Sequence, residues 1–404
     1  MTDISDYREL IGGDAVDRLQ EKSERLMDKH LLMVNSTSNG GGVAEMLNSM
    51  IPIMNRMGMK IGWRVLHGFP DFFDVTKSFH NGLQGGELDL TDEVKQIYLK
   101  ANRDFSSFTH IDHDAVVIHD PQPLPMIEFH EKKQPWIWRL HIDVSNPNPH
   151  LWHFLKGFIE KYDQMIISNE IYRKQDLSLK QRIIHPAIDP LTDKNVDMTD
   201  AEAFGLLERN GVPTDKPIIA QVSRFDIWKD PAGVIDVFRK VRERENCRLV
   251  MCGSMASDDP EGWGIYENVR GSSSDLLDSG DLIFMTNADD RLVNSLQRGA
   301  DVIVQKSIKE GFGLTVTEAL WKRTPVVTTR VGGIPLQVID GENGYLLDPR
   351  DNRGFADHII KLLRDRKLAA EMGERGREHV RNNFLITRLI SDYQDLFTEV
   401  ATGK

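Results

Sequence analysis

Cysteine is nearly absent: the 404 residues include only Cys247 and Cys252. They flank the strand-like run Arg248-Leu-Val-Met251, and five positions apart on one strand they face opposite sides. A disulfide between them is therefore not expected, and a reducing, cytoplasmic setting is. Long apolar runs are absent too; none approaches the ~18 residues of a membrane helix. The first residues, Met1-Thr-Asp-Ile-Ser-Asp6, are acidic and have no apolar centre, so a secretory signal is not expected there. No segment is of low complexity. Positive charge is in deficit, with a net charge of −12. That argues against nucleic acid or an anionic membrane as the main partner, while a local basic cleft for a small anion stays compatible with it.

What is present is a long alternation. The chain exceeds what one core supports, so two domains are expected. Strand-like runs fall at 30–35, 60–66, 115–119, 135–141 and 164–168, with helical periodicity at 14–28, 43–51, 92–109 and 151–160. A second series follows, with strands at 217–222, 247–252, 281–285, 301–305, 325–329 and 344–347. Its helices are at 200–210, 231–245, 289–298, 315–323, 351–365 and 367–382. Alternation of this kind predicts parallel βαβ units. The fold class is α/β, with two tandem doubly wound, Rossmann-like domains: residues 1–200 and 201–384. The segment 181–200, rich in proline and polar residues, reads as the run-out and linker. A last helix in 385–404 is expected to cross back to the first domain. Ligands in such sheets bind outside the carboxyl ends of the strands, so two facing sheets would line a cleft.

Three loops at strand ends attract attention. Residues 36–42, Ser-Thr-Ser-Asn-Gly-Gly-Gly, separate a strand from a helix and let a backbone approach a ligand closely; a tight turn alone would also explain them. Arg224 and Lys229 follow the strand at 217–222 and suit a diphosphate, with fork-like and point-charge contacts respectively. Asp230-Pro231 reads as a helix N-cap and first helical residue, without chemistry. Residues 306–320 join a buried strand to a helix through Gly311 and Gly313, a geometry that offers backbone N–H groups and a positive helix end to an anion. Glu310 lies in that loop and Glu318 about one turn into the helix. Two acids beside a phosphate site make sense if they grip hydroxyls, and a sugar nucleotide offers both phosphates and hydroxyls.

Ser223-Arg224-Phe225 with Lys229, Gly253-Ser254 after a strand, and Glu310-Gly-Phe-Gly-Leu-Thr-Val-Thr-Glu318 resemble the retaining glycosyltransferases of GT-B fold, family 4 (group 1). The resemblance covers nearly the whole chain. Within that family, the runs at 35–45, 118–122, 138–143 and 305–313 are similar to those of trehalose synthases, which join a nucleotide-activated glucose to glucose. They are also similar to those of the retaining trehalose phosphorylases. The resemblance implies roles residue by residue. Glu310 grips the donor sugar's hydroxyls and Glu318 the ribose hydroxyls. Arg224 and Lys229 neutralise the leaving diphosphate, aided by the backbone of Gly311, Phe312, Gly313, Leu314 and Thr315. Gly41 and Gly42 lie over the diphosphate. His141 sits by the reacting carbon, and His119, Asp120 and Asn39 are on the acceptor side.

The implied partners are NDP-glucose (UDP-, ADP- or GDP-glucose) and glucose, with no nucleic acid, no membrane and a homodimer. No cofactor is required for the chemistry; Mg2+ is at most a companion of the nucleotide. The implied reaction is front-face displacement with the diphosphate as leaving group, because no residue is left over to serve as nucleophile. Glycosyl transfer passes through an oxocarbenium-like state, and fixed cations and N–H dipoles lower the barrier most where the diphosphate charge develops. Three other readings are a trehalose phosphorylase, a transferase with another acceptor, and a sugar-nucleotide-binding regulator. Glu318 separates the first, since a ribose-gripping acid needs a nucleoside. Some residues have plainer readings. Trp136, Trp138 and Trp152 are better core than sugar platforms. Asp143 either orients His141 or caps a turn. His110, Asp112 and His113 read as a polar turn rather than a metal site.

Overall fold

A computed structural model of the chain describes residues 2–39, 41–253 and 260–402. Ser254 and Gly40, both in motifs singled out above, lie outside the described residues. The chain divides into two compact units, Met1–Ala187 with Ile386–Lys404, and Ile188–Leu385.

The first unit is built on six parallel strands: β1 (His30–Asn35), β2 (Lys60–Val65), β3 (Ala115–His119), β4 (Trp136–Arg139), β5 (Gln164–Ile167) and β6 (Lys180–Ile183). Their order is β2-β1-β3-β4-β5-β6, and every neighbouring pair is parallel. Strands covered on both faces read as unbroken apolar runs, and β3, β4 and β5 are buried along their whole length. Trp136, Trp138 and Trp152 lie in this core. The edge strand β6 is absent from the sequence reading. Its Lys-Gln-Arg-Ile is polar because an edge strand faces water, and Lys180 and Arg182 both pair with Glu399 of the last helix.

The helices Gly42–Arg56 and Pro70–Leu83 are among those that differ from the sequence pattern. The helix Gly42–Arg56 runs past Ile51 and through Pro52. Proline removes one ladder bond, yet Ile53, Met54 and Met57 are buried and hold the extra turn against the core. The helix Pro70–Leu83 buries Phe72, Val75, Phe79 and Leu83; its proline stands in the first turn, where no N–H is missed. The last helix, Ile386–Thr402, buries Ile386, Leu389, Ile390, Tyr393, Leu396 and Phe397. It is fastened by Gln394 Nε2, which donates to Leu19 O and Ser23 Oγ.

The second unit holds β7 (Ile218–Val222), β8 (Arg248–Cys252), β9 (Leu282–Met285), β10 (Val302–Gln305), β11 (Val326–Thr329) and β12 (Gly344–Leu347). The order is β12-β11-β10-β7-β8-β9, again all parallel. Its boundary falls earlier than residue 200. The stretch read as a linker packs into this unit: Trp321 Nε1 donates to Asn195 O at 3.0 Å, Lys322 Nζ to Asn195 Oδ1 at 2.9 Å, and Arg377 Nη1 to Asp197 at 2.6 Å. The side chains of Asn195 and Asp197 bond helices of the unit, while Asp193 and Thr199 face solvent.

Strand order reverses between β1 and β3 in the first unit and between β7 and β10 in the second. Such switch points leave a crevice at the carboxyl ends of the strands. The loops after β1 and β3 carry Asn39, Gly41 and Asp120. The loops after β7 and β10 carry Arg224–Lys229 and Lys306–Gly313. Cys247 and Cys252 are both buried and free. Among the described residues, no helix is long and apolar enough to cross a membrane.

Candidate functional site

In the second unit the switch point is spanned by an ion pair. After β7 the chain makes a short turn, Ile227–Lys229, capped by Asp226, whose carboxylate accepts from Trp228 N at 2.9 Å. Arg224 stays exposed, 3.5 Å from Asp226. Lys229 turns inward and meets Glu310 Oε2 at 2.5 Å. Gln221, at the end of the strand itself, donates to Lys229 O at 3.0 Å and fixes that turn. Asp230 adopts a left-handed backbone (φ 48°) and caps the helix Pro231–Arg242 through Gly233 N at 3.1 Å. Its other carboxylate oxygen is held by Lys306 Nζ. Lys306 thus anchors the loop, a task the sequence reading did not give it.

Glu310 is buried, at 8% exposure. Besides Lys229, its Oε2 accepts from Ser307 Oγ at 3.1 Å and Gln305 Nε2 at 3.4 Å. Gly313 has φ +87°, and a Cβ there would stand 3.2 Å from Glu310 Cγ; only glycine serves this turn without strain. Phe312 packs its ring edge-on to Phe384, so any share it has in ligand binding belongs to its backbone. Gln337 Nε2 donates to Phe312 O, and a Cβ at Gly333 would fall 2.7 Å from Phe312 Cα. The helix Leu314–Trp321 then starts with no side-chain cap, which leaves the N–H groups at Leu314 and Thr315 as the positive end of a helix beside the Lys229–Glu310 pair.

Glu318 is held more tightly than the sequence suggests. It is 2% exposed; Oε1 lies 3.1 Å from Lys194 Nζ and Oε2 accepts from Gln297 Nε2 at 3.0 Å. Both partners escaped sequence reasoning. Lys194 is 124 positions upstream (318 − 194), in a segment that reads as linker, and no local spacing announces such a pair.

The first unit places its candidates at its own switch point. Gly41 (φ 81°) begins the helix Gly42–Arg56 without a side-chain cap. Asn39 is exposed, and its N–H donates to Thr37 Oγ1 at 3.2 Å. Asn35 ties the loop down: its amide donates to Thr37 O at 2.5 Å and accepts from Trp63 Nε1 at 2.8 Å. At the end of β3, His119 is 1% exposed, and its Nδ1 meets His141 Nε2 at 3.1 Å. One ring must donate and the other accept, so the contact requires the pair not to be doubly protonated. Burial pushes His119 down to about 3, and Arg139 beside it adds to the shift. Burial, then Arg139, then His119 hold His141 well below its ordinary value.

Asp120 adopts φ 63°, a strained conformation for a non-glycine residue. Its Oδ1 accepts the backbone N–H of His141 at 2.8 Å. Burial raises its carboxyl to about 7, opposed by that hydrogen bond and by Arg139. Asp143 caps a turn, accepting from Ser145 N at 2.9 Å and Ser145 Oγ at 2.6 Å. So Asp120, rather than Asp143, positions His141. Among the described residues, no three His, Cys, Asp or Glu side chains converge as a metal ion needs.

Comparison with known proteins adds the lineage of both units. A family model described as "Trehalose synthase, N-terminal domain" matches residues 33–174, and one described as "Glycosyl transferases group 1" matches residues 206–379. The chain is 47% identical to the trehalose synthase of Thermococcus litoralis, over 97% of this chain and 96% of that one. It is 29% identical to the trehalose phosphorylase of Pleurotus pulmonarius, over 94% of this chain but 58% of that one. Among solved structures it resembles the sucrose-phosphate synthase of Thermosynechococcus elongatus, with a TM-score of 0.73, 17% identity, and 93% and 100% of the two chains covered.

Proposed function

The chain belongs to the group 1 glycosyltransferases of GT-B fold, in the family of the trehalose synthases, and from that premise we propose that it makes trehalose from a nucleoside-diphosphate glucose and free glucose. It is a glycosyltransferase enzyme acting in trehalose-related glycosyl transfer. The observation that carries the finer reading is the Lys229–Glu310 pair at the β7/β10 switch point, with an uncapped helix start beside it. In this reading the cation and the N–H dipoles meet the charge that develops on a diphosphate, and the carboxylate meets sugar hydroxyls.

In the proposed step the bond from the donor's anomeric carbon to the phosphate oxygen breaks, and its electron pair leaves with the nucleoside diphosphate. A hydroxyl of the acceptor glucose bonds to the same face of that carbon, and its proton passes to the departing phosphate oxygen. The donor configuration is retained without a covalent intermediate. Lys229, Ser307 and Gln305 all bind Glu310 Oε2, which fits a carboxylate held in place to bind hydroxyls. Arg224 and Lys229 are assigned to the diphosphate, Glu310 to the donor hydroxyls and Glu318 to the ribose. Gly41, Gly42 and His141 go to the donor's reacting end, and Asp120 and Asn39 to the acceptor. Since His119 is buried against His141, it acts through His141 rather than on the sugar. With cationic side chains already placed, a divalent ion is proposed only as a companion of the nucleotide, and chelation leaves turnover in place.

The test is incubation with UDP-, ADP- and GDP-glucose plus glucose, against a parallel mixture of trehalose and inorganic phosphate. Disaccharide from at least one nucleotide donor, with no phosphorolysis, is the expected outcome. Phosphorolysis without nucleotide-dependent synthesis means a phosphorylase instead.

A further inference from the structure

The segment Asp189–Asp197 is bound to its unit far more firmly than a connection needs. Asn294 Nδ2 donates to both Asp193 O and Val196 O at 2.9 Å. Trp321 and Lys322 hold the backbone carbonyl and the amide of Asn195. Asn195 Nδ2 returns to Asp189 O at 3.1 Å, and Arg377 makes a two-point pair with Asp197. Three separate helices thus fix the residues on both sides of Lys194. The side chain so fixed ends on Glu318 Oε1, at 15% exposure against 2% for its partner. The Lys194 charge is also felt at the carboxyl edge of the sheet. Burial carries the thiol of Cys252, the last residue of β8, up to about 12, and the Lys194 charge works against that rise.

The chemistry of the contact is specific. A carboxylate has about four lone-pair positions on its two oxygens. Lys194 takes one on Oε1 and the Gln297 amide one on Oε2. Each oxygen keeps an acceptor position, and the group is held by two partners, one on each oxygen. Two fixed acceptors on adjacent oxygens match two hydroxyls on adjacent carbons. The ion pair also offsets the acid's charge close to where a diphosphate is to be bound, so the acid need not repel it.

We propose that Lys194 is a positioning residue for nucleotide recognition: by clamping Glu318 together with Gln297, it makes that carboxylate a bidentate acceptor for the 2′- and 3′-hydroxyls of a ribonucleoside diphosphate. This rests on the reading that Glu318 serves a nucleotide donor. A site built to bond a hydroxyl rejects the analogue lacking it strongly, whereas a carboxylate free to rotate discriminates less. Lys194 therefore controls ribose selectivity rather than phosphate affinity.

The experiment is calorimetric titration of the full-length protein with UDP, ADP and GDP, each beside its 2′-deoxy counterpart. It is run on the parent, Lys194→Met and Lys194→Arg, with folding checked by circular dichroism. The parent is expected to prefer the ribonucleotide by ~10-fold or more, the equivalent of one buried hydrogen bond. Lys194→Met is expected to lose most of that preference while its affinity for the 2′-deoxy form stays close to the parent's. Lys194→Arg, which keeps the ion pair, is expected to recover it. In turnover, Lys194→Met raises KM for the nucleotide sugar and leaves kcat nearly unchanged. If Lys194→Met does not fold, Lys194→Leu, which likewise carries no donor, is read in the same way. An unchanged ribose preference in the folded variant, or equal losses for ribo and deoxy forms, overturns the role of Lys194 alone. A parent that binds no nucleoside diphosphate, or shows no ribose preference, overturns the nucleotide reading and this inference with it.

Discussion

At the residue scale, the paired groups set the expectations. Lys229→Ala strips the cation from a buried acid, and Glu310→Ala removes the acid that cation faces. Each is expected to cut turnover by ~100-fold or more, the scale of one lost transition-state contact in a preorganised site, with the far-ultraviolet spectrum preserved. Because the two side chains touch, the double variant is expected to lose much less than the product of the single losses; steady-state kinetics on all three proteins checks both points. The histidine pair gives a pH expectation. His119 titrates at about 3 when folded against about 6.5 when unfolded. A depressed pKa of this kind contributes stability at high pH that is lost as pH falls from about 6.5 towards about 3. Between pH 7 and pH 5 the loss is about 2 kcal/mol, from roughly 1.5 units at 1.36 kcal/mol each. Asp120, raised to about 7, works the other way, so the comparison must be between variant and parent. In urea unfolding of the first unit, His119→Asn is expected to lose about 2 kcal/mol less than the parent over that range. At this scale Glu310, Lys229 and Arg224 could be picked out as candidates because all three follow strand ends. Lys194, Gln297 and Lys306 could not, since their partners are distant in sequence and only the fold brings them together.

At the scale of elements, the turn between β10 and its helix does the positioning. Gly313 needs a positive φ, and a Cβ there would press on Glu310. Gly313→Ala is expected to destabilise the second unit by about 1 kcal/mol or more and to lower activity by more than that loss explains, because Glu310 must shift. Thermal unfolding and turnover measured on one preparation separate the two effects. Most strands were readable since parallel strands covered on both faces are unbroken apolar runs. The exceptions have physical causes. Lys180–Ile183 is polar because it is an edge strand. The helix from Gly42 outlasts Pro52 because buried Ile53 and Met54 outweigh one missing backbone bond. The segment around Asn195 looked like a linker because its polar groups, which bond neighbouring helices, have the composition of a solvated loop.

At the scale of the whole molecule, two doubly wound units and a group 1 glycosyltransferase lineage were legible from alternation and from the Glu310–Glu318 spacing. The chain's last helix belongs with the first unit, and its buried face, from Ile386 to Phe397, completes that unit's core. Ending the chain after Leu385 is expected to leave the first unit unable to fold cooperatively, seen as loss of its unfolding transition by calorimetry. The central claim is narrower and can be read from one product. The enzyme is supplied with nucleoside-diphosphate glucose carrying 13C at the anomeric carbon and with unlabelled glucose, and the product is followed by NMR from the first turnovers. The expected spectrum is α,α-trehalose labelled in one of its two halves, with nucleoside diphosphate released in equal amount. A labelled β-linked product, or labelled free glucose with no disaccharide, would contradict retaining transfer to glucose.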